Sequence, residues 1–350
     1  MRITLNRSLL VGISTFIGFL LLGALGGELR TSSWADAITI QGSGATFPAP
    51  LYQLWFVQFN KTHPDVQINY QAIGSGAGIK QFQSGLTDFG ASDAAMTDEQ
   101  IAATKSGVQL IPMTAGIIVL TYNLPGAPSD LKLSREAYTG IFLGKITSWN
   151  DPAIAKSNPN AQLPATKITV VSRSDGSGTT YVFTSHLSAI SDAWKNGPGH
   201  GTTVNFPVGV GGKGNPGVTA LVKQTPGAIG YVEYAYAKQN NLPMADLENK
   251  SGSFIAPSLP AGQEALGSVD LPSNLRAWLP DPPGANAYPI VTYTWMLLRK
   301  KYDDPQMANT LKAVVLYGLG DGQSFSSQLG YIPLPASVIS ADKAALANIS

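Results

Sequence analysis

The chain has 350 residues, with 23 basic and 22 acidic side chains, 44% hydrophobic residues and no cysteine. The missing cysteine excludes disulfides, thiolate nucleophiles, thiolate metal sites and a lipid-bearing N-terminal cysteine. The even charge balance speaks against a nucleic-acid binder and against a polybasic membrane-surface protein, so a small ligand or a specific protein partner is expected.

At the start of the chain, Arg2 and Arg7 precede an uncharged run from Ser8 to Gly27. Ala35-Asp36-Ala37 then offers a small-residue cleavage site before Ile38-Thr39-Ile40, which predicts a signal peptide over 1–37 and an exported, periplasmic protein. The run is nearly long enough to span a bilayer, so a retained anchor is the alternative. Removing 1–37 takes three arginines and two acids and leaves a formally neutral chain of 313 residues. That length exceeds what one hydrophobic core usually organises, so two domains are expected.

One local unit then recurs three times: a short β-branched run, a Gly/Ser/Thr turn, and an apolar pattern at helical spacing. The first joins Ile38–Gln41 to Gly42-Ser43-Gly44-Ala45-Thr46 and a helix with Phe47, Leu51, Leu54, Trp55 and Phe59 on one face, with Pro48 in its first turn. The second joins Val66–Tyr70 to the turn 73–78 and a helix from Ile79, with Gly85 as its stop. The third joins Ile168–Val171 to the turn 173–179 and a helix carrying Tyr181, Val182, Phe183 and Leu187. A helix start leaves backbone N–H groups unpaired and carries partial positive charge, so three such starts can converge on one anion. Ser43, Thr46, Ser75, Ser177 and Thr179 add hydroxyls near the same turns. Taken singly, each turn is equally an ordinary helix cap, and the repetition is what favours a site.

Two charged positions sharpen this reading. Arg173 closes a strand two residues before Asp175; a guanidinium there suits a tetrahedral oxyanion, and Asp175 suits its other face. Asp93, in Thr87-Asp88-Phe89-Gly90-Ala91-Ser92-Asp93, would be costly beside an anion unless it accepted a proton from it. Hydrogen phosphate carries such a proton and fully ionised sulfate does not. A fourth glycine cluster, 209–217, is expected to be a closing loop in which Lys213 is as plausibly solvated as functional.

Gly44-Ala45-Thr46-Phe47-Pro48-Ala49-Pro50, Ile73-Gly74-Ser75-Gly76, Asp88–Asp93 and Asp175-Gly176-Ser177-Gly178-Thr179, followed by similarity in 209–215 and 226–235, resemble the periplasmic phosphate-binding subunit of the high-affinity phosphate ABC importer. The resemblance covers most of the chain beyond residue 37 and is weakest over 247–287. It implies an α/β, two-domain type II periplasmic-binding fold with phosphate in the cleft between the domains. Thr46, Phe47, Ser75, Asp93, Arg173, Ser177, Gly178 and Thr179 would contact the ion, with Asp175 supporting Arg173. It implies no cofactor, no metal and no catalysis. The expected partners are inorganic phosphate and the membrane subunits of the importer, for a chain acting as a monomer with no nucleic acid.

Two alternatives are weighed against it. A phosphate-ester hydrolase lacks its parts: Ile79 interrupts the phosphate-loop pattern, and Asp175 stands where a nucleophile elbow at Ser177 needs glycine. Of the possible bases, His63, His186 and His200 all lie outside the glycine turns. The same build holding sulfate or another oxyanion is the nearer alternative, and Asp93 argues for phosphate. The expected division is 38–113 with 243–350 as a discontinuous first domain and 114–242 as the second, with the crossover at Thr114-Ala115-Gly116.

Overall fold

A computed structural model describes residues 37–128 and 130–350, so the expected leader lies, apart from Ala37, outside the described residues. Among the described residues, no helix is long and apolar enough to cross a membrane. Asp36–Ser350 forms one compact unit.

Among the described residues, eleven strands follow one another: β1 (Ile38–Gly44), β2 (Val66–Ala72), β3 (Phe89–Ser92), β4 (Val108–Asn123), β5 (Lys132–Leu133), β6 (Thr169–Arg173), β7 (Val210–Gly212), β8 (Ala228–Glu233), β9 (Asp246–Glu248), β10 (Phe254–Ile255) and β11 (Val291–Arg299). Eight of them form one sheet in the order β2-β1-β3-β11-β4-β8-β6-β7, and β10-β9-β5 form a small second sheet. The fold is α/β, as expected.

The long strand β4 explains how the sheet is organised. Its sixteen residues are almost all buried, the continuous apolar pattern of a strand covered on both faces. Residues 108–117 pair with β11 and residues 118–123 with β8. β1, β2 and β3 are mutually parallel, and so are β6, β7 and β8. β11 is antiparallel to both β3 and β4, and β8 is antiparallel to β4. The β1-β2-β3 group therefore points along β4 toward the other half, and the β6-β7-β8 group points back. The carboxyl ends of the two parallel groups face each other across the middle of β4. Ligand crevices in open α/β sheets lie at such strand ends.

Two local expectations are corrected. The helix after β2 begins at Ser75 rather than Ile79, because Gly74 takes φ 95°, a conformation open to glycine, and turns the chain straight into the helix. The 209–217 cluster is not only a loop. It holds β7, whose Gly212 pairs with Arg173 of β6, and it opens the helix Gly214–Gln224. Lys213 precedes that helix and is exposed.

The core holds four tryptophans whose polar atoms are satisfied. Trp55, Trp149, Trp194 and Trp295 are fully buried. Their indole N–H groups donate to the carbonyls of Gly322, Gly227, Gly199 and Leu275, so large apolar rings are buried without stranding a donor.

Candidate anion-binding cleft

Each wall of the cleft is built where a strand gives way to a helix. On one wall, β1 ends at Gly44 and leads to Thr46 and the helix Ala49–Thr62; β2 leads through Gly74 to the helix Ser75–Gln83; and β3 ends one residue before Asp93. On the other, β6 ends at Arg173 and leads to Ser177 and the helix Gly178–Ile190, and β7 leads to the helix Gly214–Gln224. The N–H groups of Gly178 and Thr179 occupy the first two positions of their helix, where no carbonyl lies one turn back to receive them. Ser177 caps that helix, its Oγ accepting from the Thr180 N–H at 3.0 Å.

Direct contacts join the two walls. The Gly76 N–H donates to the Gly176 carbonyl at 2.8 Å. Gly178 packs so closely that a Cβ there would stand 2.6 Å from Ser75 Oγ and 2.7 Å from Asp93 Oδ2. A Cβ on Gly74 would stand 2.3 Å from Asp175 Oδ2. Thr46, Phe47, Ser75, Asp93, Arg173, Ser177 and Thr179 are all buried. The nine sequence-selected residues thus converge on one cleft, linked through these contacts or through one intervening residue.

The two carboxylates differ in their surroundings. Asp175 accepts from Arg173 Nε at 2.8 Å and from its terminal nitrogen at 2.6 Å, and also from the Gly214 N–H at 2.8 Å. Burial works to raise its pKa, but the Arg173 hydrogen bonds and charge, with the Gly214 N–H, outweigh it and hold the group below the usual carboxylate range. Arg173 keeps one buried terminal nitrogen, Nη1, without a protein partner. Asp93 has no such cation bonded to it. Burial pushes its carboxyl up to about 7, with Asp175 adding to the rise and the Thr294 hydroxyl, Arg173 and the Ser75 hydroxyl drawing it down. Thr294 donates to Asp93 Oδ1 at 2.8 Å, and the Asp93 N–H donates to Ser75 Oγ at 3.2 Å.

Several residues that build the cleft were not selected from the sequence. Tyr70, Tyr236 and Tyr331 donate to the successive carbonyls of Ala45, Thr46 and Phe47, at 2.7, 2.5 and 2.7 Å. A trans peptide carries its N–H opposite its C=O, so fixing the carbonyls of Ala45 and Thr46 aims the N–H groups of Thr46 and Phe47 to the other side. Thr294 sits at a β-bulge, where the register between β11 and β4 shifts so that Met113, next to Pro112, has no partner on β11. A proline that cannot donate fits such an irregularity in a central strand, and bulges re-aim side chains. The one signal for it was Thr292 and Thr294 two residues apart in an otherwise apolar run. Asn215 lies within the 209–215 stretch, and nothing local in the sequence marks its side chain for the cleft.

A recess of about 350 Å³ reaches Asp93 and Thr292 from between the helix Gly178–Ile190 and residues 277–280, with Tyr181, Lys195, His200 and Trp278 among its lining. The histidines serve packing: His63 stacks on Phe59, His200 lies edge-on to Tyr181, and buried His186 bonds Tyr138 and the Pro280 carbonyl. Among the described residues there is no cluster of three or more His, Asp or Glu side chains suited to a metal ion.

Comparison with known proteins gives a consistent set of relatives. A family model described as a PBP superfamily domain matches residues 30–321. The phosphate-binding protein PstS of Haemophilus influenzae is 41% identical over 318 residues, covering 90% of this chain and 94% of that protein. That of Methanocaldococcus jannaschii is 38% identical over 359 residues, covering 95% and 92%. Among solved structures, a phosphate-binding protein from Stenotrophomonas maltophilia superposes with a TM-score of 0.70 at 21% identity, covering 88% of this chain and 93% of that one, a likeness of fold.

Proposed function

This chain belongs to the PstS family of phosphate-binding proteins, and we propose that it captures one inorganic phosphate ion with high affinity in the periplasm and delivers it to an ABC-type membrane importer. The observation that carries this reading is the convergence of two opposed sets of helix starts and strand ends on one buried, nearly charge-balanced cleft. Within it, the N–H groups of Thr46, Phe47, Ser75, Gly178 and Thr179 and the hydroxyls of Thr46, Ser75, Ser177 and Thr179 stand in for the water around the ion. Removal of phosphate from water is costly unless nearly every oxygen meets an oriented donor, and fixed peptide dipoles meet that need without a full countercharge. Arg173 contributes its free terminal nitrogen, and Asp175 holds the guanidinium in place. Asp93 accepts the proton that phosphate brings.

The domains meet here as two halves that open and close about β4 and β11, with limits near 113 and 243; β9, which follows 243, still pairs with β5, and β10 pairs with β9. Closure buries the ion and changes the outer surface, which gives an importer a way to distinguish loaded from empty protein. The chain acts as a monomer, after cleavage of its leader, and catalyses no reaction. For the nearest catalytic reading, a phosphate-ester hydrolase, Ser177 lacks a base: its hydroxyl caps a helix, and the hydrogen bonds of His63 and His186 are made elsewhere.

The test is calorimetric titration of ligand-stripped protein with phosphate and with sulfate at pH 8. Tight phosphate binding with weak sulfate binding is expected. Equal affinity for the two, or turnover of a phosphate monoester lost on changing Ser177, would reject the reading.

A further inference from the structure

Resting on the phosphate reading above, we infer that Asn215 is a positioning residue that turns the hydroxyl hydrogens of Thr46 and Thr179, one on each wall of the cleft, toward the anion. Asn215 is fully buried in the helix Gly214–Gln224, and its side chain lies between the two threonines. The orientation of its amide follows from its partners. Oδ1 accepts from the Glu233 N–H at 2.9 Å, and a backbone N–H can only donate, so the NH₂ end must face the other way. There Nδ2 donates to Thr46 Oγ1 at 2.9 Å and to Thr179 Oγ1 at 3.2 Å. The backbone N–H of Asn215 donates to Thr46 Oγ1 as well, at 3.1 Å.

The consequence is one of hydrogen count. A hydroxyl has one hydrogen and two lone pairs. Thr46 Oγ1 has both lone pairs taken by donors from Asn215, so its hydrogen has to point away from Asn215. Thr179 Oγ1 also accepts from the amide, and its hydrogen is likewise directed elsewhere. Neither hydroxyl donates to another group among the described residues. Without the amide, each hydroxyl rotates freely and can present a lone pair, which repels an anion, as readily as a hydrogen. Because Thr46 follows β1 and Thr179 follows β6, one amide sets the donor polarity of both walls.

Changing Asn215 to Asp tests the polarity with little change of shape. Oδ1 can still accept from the Glu233 N–H, but the second carboxylate oxygen now accepts where the amide donated, so both hydroxyl hydrogens turn toward residue 215 and away from phosphate. Titration of the full, ligand-stripped chain with inorganic phosphate should show Asn215→Ala weakened about tenfold and Asn215→Asp about a hundredfold, the scale of one and two net hydrogen bonds. A packing role alone gives the opposite order, since Ala leaves a cavity and Asp does not. Repulsion by the added charge alone would persist when the hydroxyls are removed. In a Thr46→Val/Thr179→Val background, the Asp substitution should therefore cost no more than about threefold, the residue left when interacting sites are uncoupled.

Asn215→Asp binding as well as Asn215→Ala, or losing as much in the valine background as in the wild type, would overturn the inference. Should Asn215→Asp fail to fold by circular dichroism, the Asn215→Ala loss decides in the same two backgrounds, and an undiminished loss in the valine background overturns it. The wild-type titration keeps the two readings apart. Wild-type protein that ignores phosphate rejects the phosphate function, whereas tight wild-type binding with unmoved Asn215 variants rejects only the role of Asn215.

Discussion

Asp93, just beyond β3, and Asp175, just beyond β6, are carboxylates on opposite walls of the same cleft, and the protein treats them in opposite ways. Asp175 is bonded to Arg173 through two nitrogens and to the Gly214 N–H, and it stays ionised. Asp93 has the Thr294 and Ser75 hydroxyls beside it but no bonded cation, and burial lifts its carboxyl to about 7. One wall thus carries an ion pair whose charges nearly cancel, and the other carries a group that can be charged or neutral near physiological pH. Such a cleft need not be strongly positive to hold an anion. On the proposed reading, peptide dipoles at helix starts supply the attraction, the Arg173–Asp175 pair supplies direction, and Asp93 supplies a condition that the ligand must meet.

Both walls have to meet for this division of labour to operate, so the largest effect is expected where they touch. Gly178→Ala places a methyl group against Ser75 Oγ and Asp93 Oδ2 at distances that no relaxed contact tolerates. On the proposed opening and closing of the two halves, the strain falls on the closed arrangement, in which the walls are in contact, and not on either wall alone. Phosphate affinity should fall by about 3 kcal/mol, the upper range for overpacking a tight site, with little change in melting temperature without ligand. An alanine variant that binds phosphate as the wild type does would show that the contact between walls is not needed for binding.

A smaller effect is expected from the wall that carries the ion pair. Arg173→Ala should weaken phosphate binding by about 1.5 to 3 kcal/mol, the scale of a charge-assisted hydrogen bond. It also leaves Asp175 without its main partner beside the anion. Arg173→Lys, which keeps the charge but not the fork that grips Asp175, should recover only part of the loss. Calorimetry showing an unchanged affinity for Arg173→Ala would remove this side chain from the site.

How much of this was legible in the sequence depends on the range of the interaction. The three strand-turn-helix units, and the placement of Thr46, Ser75, Asp93, Arg173 and Ser177 at strand ends, follow from local signals: β-branched runs, glycine turns and cap residues. Asn215 could not be assigned in this way, because its bonds to Thr46 span 169 residues. The tyrosines on the carbonyls of Thr46 and Phe47 act across 190 and 284 residues, and Thr294 reaches Asp93 across 201. Two local features were misread for a related reason. Three glycines within 74–78 lower helix propensity, yet the helix still starts at Ser75 because the tertiary frame holds it there. Val210-Gly211-Gly212 has little strand propensity of its own, and it becomes β7 because β6 offers a free edge.

The finest test of the contrast between the two carboxylates is selectivity, read with sulfate against pH. Sulfate brings no proton, so it can sit beside Asp93 only when that carboxyl is itself protonated, whereas phosphate supplies the proton it needs. With the Asp93 carboxyl at about 7, the empty site is mostly ionised above that pH and mostly neutral below it. Sulfate affinity should therefore fall about tenfold for each pH unit above 7 and level off below, since binding there requires uptake of one proton. Asp93→Asn should flatten this profile, because an amide neither repels the anion nor takes up a proton, and at pH 8 it should raise sulfate affinity about tenfold relative to the wild type by the same linkage. The Arg173–Asp175 wall should contribute nothing to the slope, since Asp175 stays ionised throughout this range. A wild-type sulfate profile flat between pH 6 and 9 would mean that Asp93 does not exclude the unprotonated ion, and the distinction between the two walls would then be one of structure without a role in choosing the ligand.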